Sequence, residues 1–378
     1  MKKLLAILLT LAMVSVLVAA CNGTSGNGGN GGNGSGDELT DIKIALVAHS
    51  PGSIQFDGSF NEGAWNGIVD FLNKRNLNPR EQANFFQAHD DTDEARVDII
   101  TDAINWGADI LILPGWHFAM SVGTAQDLFP ATKFVILDAR PNFVGPEAAN
   151  TVSIVYSEEQ SGFLAGYALV KDGFRDLGFM GGTAVPAVVR FGHGFIEGAA
   201  YAANDLGLAD GAVSINYHYI GDFQPNPAVT TMAASWYASG TEVIFSAAGG
   251  AGFSVIEASE AADTFVVGVD VDQANDSPTV ITSAMKALAI SVDDMLTDFV
   301  NDNFQGGRNL MYNAANRGIG LPMATSRFRT FSLDDYNAIL AKLVDGSITV
   351  STVLPEDDGT TNPNDLINVG SVTVTFIN

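Results

Sequence analysis

Polar and aromatic side chains follow several apolar segments of this chain, in patterns that suit the binding of a small polar ligand. The first group is Asp57-Gly58-Ser59-Phe60-Asn61. A phenylalanine ring offers a face for stacking, and an asparagine side chain both donates and accepts hydrogen bonds. Ser59 and Glu62 have the spacing of a capping box, which predicts that a helix begins here. The alternative is structural, with Phe60 packed under the helix and Asn61 an ordinary helix-start residue.

A second group lies far along the chain, where Asp270 and Asp272 follow one apolar run and Lys286 follows the next. Two carboxylates at this spacing suit either a metal ion or a diol. The additional oxygen ligands of a calcium-binding loop are absent from this segment, so the pattern favours a diol. Lys286 is predicted to pair with Asp270, as part of a binding site, as a structural ion pair, or as both.

Two further segments end apolar runs with residues that a ligand can contact. The segment 219–223 ends in Phe223, which is predicted to face Phe60 across a cleft, with core packing as the alternative. The small-residue segment 247–252 includes Gly250 and predicts a turn where backbone amides approach a ligand.

The glycine-rich segment 181–198 superficially resembles a dinucleotide-binding fingerprint. The spacing of its glycines does not match that fingerprint, because Glu197 occupies the position of the third glycine. Close packing of a helix against the cleft wall is the alternative interpretation of these glycines.

Signals for catalysis are weak in this sequence, and we predict no catalytic residue, no cofactor and no metal. It has no Gly-x-Ser-x-Gly elbow, no P-loop and no His-Glu-x-x-His motif. Its 5 histidines, at positions 49, 89, 117, 193 and 218, lack the spacing of metal ligands. A secreted hydrolase, such as a nucleosidase using Asp270 and Asp272, remains an alternative.

The segments that must position these residues alternate between strand and helix patterns, and the series starts again near residue 158. Two successive series of this kind predict two doubly wound α/β lobes, with ligand bound at the carboxyl ends of the strands. The predicted strands are 42–47, 83–88, 109–114, 134–138, 177–180, 212–219, 243–246, 265–269 and 280–284. The predicted helices are 60–74, 93–106, 118–128, 158–170, 187–206, 227–238, 254–262 and 287–300.

The chain is strongly acidic, with a formal net charge of −25. Binding to nucleic acid or to anionic lipid headgroups requires clustered Lys and Arg, so both partners are excluded as main ligands. The single cysteine rules out a disulfide within the chain, and the fold must therefore be stabilised by core packing.

The first residues have the pattern of a bacterial export signal. Lys2 and Lys3 precede the apolar and small-residue run 4–20, which ends directly before Cys21. This junction is similar to a lipobox, so 1–20 is predicted to be a signal peptide and Cys21 the lipidated residue. Several acyl chains anchor a protein stably, at about 0.8 kcal/mol for each buried methylene. Residues 21–38 then form a predicted flexible Gly/Asn linker on the outer face of the membrane.

Taken together, the loops resemble the basic membrane lipoprotein (BMP) family. The resemblance runs from about residue 42 to about 347 and rests on these motifs: Asp57-Gly58-Ser59-Phe60-Asn61 with Ala64-Trp65, Gly181-Gly182 with Pro186, Phe191 with Gly194-Phe195 and Gly198, Gly268-Val269-Asp270-Val271-Asp272-Gln273, Thr282-Ser283 with Lys286, and Gly318-Ile319-Gly320-Leu321. It implies a periplasmic-binding-protein type I fold. It also implies a substrate-binding component of an ABC transporter, whose partners are a permease and an ATPase, in a family whose characterised members bind nucleosides.

The resemblance assigns roles to individual residues. Phe60 and Phe223 would sandwich the base, and Asp270 and Lys286 would hold the ribose hydroxyls. The remaining candidates are Asn61 as a polar contact, Gly250 as backbone near the 5′ end, and His49, Asp57 and Trp116 as further ligand contacts. The resemblance implies capture of a nucleoside for uptake, with a purine nucleoside expected first. The family commonly has an aspartate after the first strand that hydrogen-bonds the base, and here His49 is nearest to that position. Another nucleoside or a different heterocyclic solute is therefore an alternative ligand.

We expect a monomer with a first lobe of residues 39–153 plus 280–322 and a second of 154–279 plus 323–378. The chain would cross between the lobes near residues 153, 280 and 322. A sugar- or autoinducer-binding lipoprotein of the same fold, or a ligand sensor, remains an alternative. A sugar-binding site would require polar groups in place of Phe60 and Phe223.

Overall fold

The structure is a computed structural model, and it describes residues 41–53, 55–140, 148–351 and 362–377. The predicted signal peptide, Cys21 and the linker to residue 38 lie outside the described residues. Within the described residues the strands form one 6-stranded and one 7-stranded sheet. The prediction of two α/β lobes is confirmed.

The first sheet is parallel throughout, in the order β11-β5-β4-β3-β1-β2. All residues of its central strands β1 and β3 are buried, because helices cover both faces of the sheet. This burial explains why both strands are continuous apolar runs in the sequence. The strands are β1 (Ile44–Ala48), β2 (Ala83–Gln87), β3 (Ile110–Pro114), β4 (Lys133–Leu137), β5 (Thr151–Tyr156) and β11 (Arg308–Tyr312).

The second sheet has the order β12-β10-β9-β8-β6-β7-β13, and the pairing of β12 with β10 is antiparallel. Its other strand pairs are parallel. The strands are β6 (Asp176–Gly181), β7 (Ser214–Tyr219), β8 (Val243–Ala247), β9 (Phe265–Asp270), β10 (Val280–Lys286), β12 (Ile319–Gly320) and β13 (Thr373–Phe376).

The helices connect the strands and cover the sheets. They are α1 (Phe60–Lys74), α2 (Pro79–Gln82), α3 (Asp93–Asn105), α4 (Phe118–Leu128), α5 (Glu158–Lys171), α6 (Pro186–Asp205), α7 (Pro227–Ala238), α8 (Gly252–Ala262), α9 (Leu288–Val300), α10 (Leu333–Val344) and α11 (Pro363–Leu366). None of the helices in the described part of the chain is long and apolar enough to cross a membrane.

The sheets divide the chain at different points from those predicted. β10 pairs with β9 in the second sheet, so the expectation that the first lobe resumes at residue 280 is wrong. The return to the first lobe comes after β10, with α9, which packs on α1 through the ion pair between Lys74 Nζ and Asp293 Oδ2 at 2.9 Å. Because β5 runs to Tyr156 and β12 joins the second sheet, the chain crosses near 157, 287 and 313–318.

Glycines of α5 and α6 let the two helices pack with almost no space between their backbones. A methyl group on Gly194 would lie 2.0 Å from the carbonyl oxygen of Glu159, and one on Gly198 would lie 2.0 Å from that of Phe163. Gly162 faces the carbonyl of Phe191 in the same way, at 2.1 Å. The glycine-rich segment therefore serves helix packing, as its alternative interpretation proposed.

Candidate functional site

A cavity of about 400 Å³ lies between the two sheets, at the carboxyl ends of their strands. Residues of both lobes line it, and the structure brings together side chains from widely separated parts of the sequence. All of the ligand-contact candidates named from the sequence are in its wall: His49, Asp57, Phe60, Asn61, Trp116, Phe223, Gly250, Asp270 and Lys286.

The start of α1 is held by Asp57, and the predicted capping box is wrong. Asp57 Oδ1 accepts hydrogen bonds from the backbone N–H of Ser59 (3.0 Å) and of Glu62 (3.1 Å). Its Oδ2 accepts from the N–H of Asn61 at 3.0 Å. Burial raises the pKa of Asp57 to about 6, although these three backbone hydrogen bonds oppose the rise.

Because Asp57 accepts the backbone hydrogen bonds at the start of α1, the Ser59 hydroxyl is available for a different contact. Its Oγ donates to Asp270 Oδ2 at 2.7 Å, which joins the first lobe to the second. The local sequence could not show which side chain caps the helix, because Asp57, three positions before the helix, and Ser59, directly before it, are both residue types that favour helix N-termini.

Lys286 lies at the centre of a buried cluster, here called the charged corner, made of Lys286, Asp138, Asp270 and Glu158. Its Nζ is 2.7 Å from Asp138 Oδ2, 3.2 Å from Asp270 Oδ1 and 3.8 Å from Glu158 Oε1. The ion pair between Lys286 and Asp270 is therefore present as predicted. Arg190 Nε donates to the other Glu158 oxygen, Oε2, at 2.5 Å.

Asp138 is a cavity residue that the sequence reasoning missed. Its position directly after β4 is the signal that could have identified it, since Asp270 ends β9 in a comparable way. Both residues have a left-handed backbone, with φ of 61° at Asp138 and 67° at Asp270. Aspartate tolerates this conformation better than most residues, and such strain is often found at functional sites.

The electrostatics of the charged corner keep the lysine protonated. Burial alone would lower the pKa of Lys286, but the nearby Asp138, Asp270 and Glu158 carboxylates hold it above its usual value. Burial raises the pKa of Asp138 to about 7, against the opposing pull of Lys286. Asp138 Oδ1 is buried and accepts no hydrogen bond within the described residues, so the corner has an oxygen available for a ligand hydroxyl.

The two phenylalanines enter the cavity from opposite lobes. Phe60 begins α1 of the first lobe, and its ring centre lies 4.4 Å from Lys286 Nζ. Phe223 follows β7 of the second lobe and its ring lies against Gly182, where a methyl group would come within 2.3 Å of the ring. This contact explains why a glycine stands at position 182.

The other predicted contacts have more varied surroundings. Asn61 is buried at the start of α1. Gly250 lies in the 3-10 turn Gly249–Ala251, beside the carbonyl of Phe223. Trp116 is 39% exposed, with its ring centre 4.5 Å from that of His117.

His49 and His117 form a stacked pair in the wall of the cavity. Their ring centres are 3.9 Å apart and their planes differ by 2°. Burial, followed by the charges of His117 and Arg96, lowers the pKa of His49 to about 3. Burial and then Arg96 lower the pKa of His117 to about 4, so both imidazoles are neutral. The sequence analysis named His117 only as a histidine without metal-ligand spacing. Its position three residues after β3 is the signal that could have identified it as a cavity residue.

Hydrogen bonds close the two lobes over the cavity. Gln224 Nε2 donates to the carbonyl of Gly52 at 2.7 Å, and Gln273 Nε2 donates to the carbonyl of Gly58 at 2.9 Å. Both glutamines belong to the second lobe and both acceptors to the first, so these contacts must break for the cleft to open.

The two carboxylates that the hydrolase alternative requires do not both line the cavity. Asp272 is not among the cavity-lining residues, and its Oδ2 accepts a hydrogen bond from Thr325 Oγ1 at 2.6 Å. Within the described residues, no group of three or more His, Cys, Asp or Glu side chains is arranged to hold a metal ion.

Comparison with solved structures finds the same two-lobed fold in solute-binding proteins. The solute-binding protein of an ABC transporter system from Aeropyrum pernix K1 superposes with a TM-score of 0.69 at 20% identity, covering 84% of this chain and 95% of that one. A counterpart from Conexibacter woesei DSM 14684 gives a TM-score of 0.64 at 19% identity, covering 82% and 99%. These likenesses confirm the predicted periplasmic-binding type I fold.

Sequence comparison identifies the family within this class. Residues 43–352 match the Bmp family model, described as "ABC transporter substrate-binding protein PnrA-like", and the chain belongs to this family. The "ABC transporter nucleoside-binding protein BmpA" of Lactococcus lactis subsp. cremoris (strain MG1363) is 28% identical over 337 residues, which are 84% of this chain and 91% of the relative. "Basic membrane protein A" of Borreliella burgdorferi is 27% identical over 353 residues, 91% and 95% of the two chains.

The family membership predicted from the loop motifs is thus confirmed. The chain is a substrate-binding protein of the ABC transporter class. Such a protein works outside the cytoplasm, where it delivers a small-molecule ligand to a permease that is coupled to an ATPase.

Proposed function

We propose that this protein captures a nucleoside in the cavity between its lobes and delivers it for uptake. The observation that carries the proposal is the combination of two phenylalanines from opposite lobes with a buried carboxylate–lysine corner in one cavity. The phenylalanines can bind a flat base, and the carboxylate–lysine corner can bind a polar sugar. A nucleoside contains both a base and a sugar.

Stacking supports the base half of this proposal. An aromatic ring against a base contributes about 1–3 kcal/mol and tolerates different bases. Phe60 and Phe223 supply rings from the two lobes, so a bound base would hold the lobes together as they close. The bound state would then be favoured by its larger contact area.

Hydrogen bonding supports the ribose half. A carboxylate accepts two hydrogen bonds from a pair of neighbouring hydroxyls, and charged acceptors give the stronger bonds. Asp270 lies beside Lys286, and Asp138 Oδ1 has no hydrogen-bond partner within the described residues. These groups would select ribosides over free bases. The printed name of the Lactococcus relative, a nucleoside-binding protein, agrees with this ligand class.

The test is a binding screen of purified residues 37–378 by calorimetry and melting temperature. The ligands are purine and pyrimidine nucleosides, their free bases, ribose and common sugars. We expect binding of ribosides, and weaker or no binding of bases and ribose alone. Binding of a sugar in place of all nucleosides would overturn the proposal. Release of free base during incubation would contradict a purely binding role.

We also propose that the protein is anchored to the outer face of the cell membrane through lipid on Cys21. The support is the sequence alone, since the n-region, the apolar run and the cysteine have the order of a lipoprotein signal. Cys21→Ser should release the protein to the medium or leave it unprocessed. Membrane retention of a normally processed Cys21→Ser variant would contradict the anchor.

A further inference from the structure

The stacked histidines occupy a part of the cavity for which the sequence suggested His49 and Trp116 as ligand contacts, but not His117. His49 follows β1 and His117 follows β3, and these strands are neighbours in the first sheet. The rings are parallel and 3.9 Å apart, and Trp116 lies next to His117. This arrangement is built by the fold, since Arg96 of α3 donates from Nε to the carbonyl of His49 at 3.2 Å.

We propose that the His49–His117 pair recognises the edge of the ligand's base and sets the preference among bases. The inference rests on the proposed function, because it assumes a nucleoside with its ribose at the charged corner. It assigns to a pair of neutral rings the role that the family resemblance gave to a single carboxylate.

The order of strands in the first sheet places the histidine pair beside the charged corner, where a base could lie if the ribose occupied the corner. Asp138, which contacts Lys286, follows β4; His117 follows the adjacent β3, and His49 follows β1 beyond it. Neighbouring strands lie about 4.8 Å apart, so the histidines are displaced from Asp138 by about one and two strand spacings. A nucleoside held by its ribose at the corner would extend its base along this edge.

The chemistry of the pair differs from that of a carboxylate. A carboxylate only accepts hydrogen bonds, whereas each neutral imidazole has one N–H donor and one acceptor nitrogen. His49 Nδ1 is 3.3 Å from Ser53 Oγ. His117 Nδ1 is buried and has no hydrogen-bond partner within the described residues. The pair can therefore bind a base edge that presents acceptors, such as a carbonyl oxygen or an unprotonated ring nitrogen.

Burial, with a smaller contribution from Arg96, lowers the pKa of both histidines and keeps the pair neutral. Arg96 faces both rings and disfavours a proton on either of them. Asp91, which also lines the cavity, acts in the opposite direction on His117 but is outweighed by burial and Arg96. Ligand recognition by the pair should consequently be the same at pH 8 and at pH 6.

A metal ion is a poorer occupant of this position. The nitrogen lone pairs of an imidazole lie in the plane of its ring, and parallel stacked rings direct them along separate planes. They do not converge on one point. In the part of the chain that the structure describes, no third His, Cys, Asp or Glu side chain completes a metal-binding group with them.

The test compares His49→Phe and His117→Phe with wild type by calorimetry against inosine, guanosine, adenosine, uridine and cytidine. Phenylalanine retains the stacked ring but removes its hydrogen bonds. We expect each variant to lose about tenfold in affinity for the preferred nucleoside and to bind the five more evenly, because lost hydrogen bonds have about this effect. The same substitution at His89, which is exposed, is the control and should change nothing.

The outcomes separate this inference from the proposed function. If wild type binds none of the five nucleosides, the proposed function fails and the inference fails with it. If wild type binds and both Phe variants keep its ranking of bases, only the inference is overturned. Should a Phe variant fail to fold, His117→Gln and His49→Gln replace it: an altered ranking supports the inference, and an unaltered one overturns it.

Discussion

The charged corner and the stacked histidine pair are two regions of one cavity with opposite physical character. The corner consists of buried, ionised or titrating groups from both lobes, with Asp138 reaching Lys286 across the cleft. The pair consists of neutral rings that belong to one lobe. The corner therefore joins the two lobes as well as lining the cavity, whereas the pair lines the cavity from the first lobe.

This difference predicts how the two regions respond to change. A buried charge left without its partner destabilises the whole protein, because its desolvation is no longer compensated. A neutral ring replaced by another ring leaves no such charge. Substitutions in the corner should lower stability and affinity together, and substitutions in the pair should alter selectivity with little loss of stability.

The largest effect is expected for Lys286→Met. It leaves Asp138, Asp270 and Glu158 buried with no lysine, and breaking a buried ion pair in this way costs about 3–5 kcal/mol. We expect that loss in the free energy of unfolding, measured by urea titration, together with the loss of nucleoside binding. Lys74→Met is the matched control, since the Lys74 side chain is 60% exposed and its pair with Asp293 should contribute less than about 1 kcal/mol. Equal effects at both positions would remove the distinction on which the comparison rests.

Asp270→Asn should have the next largest effect, with a clear loss of affinity and a smaller loss of stability, because Lys286 keeps Asp138 as an ion-pair partner. Asparagine tolerates the left-handed backbone at this position, so the change removes charge without adding strain. We expect riboside affinity to fall by about 1.5–3 kcal/mol, or roughly 10- to 150-fold. Calorimetry with Asp272→Asn as the control checks this, because Asp272 does not line the cavity. An unchanged affinity would exclude Asp270 from the site.

Phe223→Ala should lower nucleoside affinity by about 1–3 kcal/mol through lost stacking. The melting temperature of the free protein should change little, because the ring is only partly buried at the cavity wall. Phe56→Ala is the control, since Phe56 is 62% exposed and is not among the cavity residues. A collapse of the melting temperature without ligand would show that Phe223 belongs to the core.

The smallest effect is a pH dependence with opposite sign in the two regions. The pKa of His49 is lowered from its ordinary value of 6.5 to about 3 in the folded protein. Below pH 6.5 the histidine is therefore protonated in the unfolded chain but not in the folded one. His49 thus costs stability as pH falls from 6.5, by at most about 1.4 kcal/mol per pH unit. Asp138, with its pKa raised to about 7, costs stability as pH rises through 4 to 7.

The difference in unfolding free energy between wild type and His49→Phe isolates the histidine contribution. We expect the variant to gain on wild type steadily between pH 6.5 and pH 5, and the difference to be constant from pH 7 to pH 8. A constant difference across the whole range would mean that His49 is protonated normally in the folded protein.

Much of the fold could be predicted because both lobes are built from local patterns. The helix over 60–74 and the strand that opens the first lobe follow from apolar periodicity. β5 and β11 were missed, and β11 is a half-buried edge strand whose partner lies far away in sequence, at β5. The membership of β10 in the second lobe was also missed, because strand pairing is a tertiary property that no local pattern records.

For the candidate site, sequence and structure contributed different information. The sequence determined the residue types, namely which strands end in Asp, Lys, His or Phe, and these chemical groups and family motifs were sufficient to identify the class of protein. Only the tertiary structure decided which of these residues are in contact. In it, Asp57 caps α1, Asp138 forms an ion pair with Lys286, and the ring of His117 stacks on that of His49. The physical reason is that hydrogen bonds, ion pairs and burial depend on distances between strand ends, and those distances are set by the order of strands in the sheets.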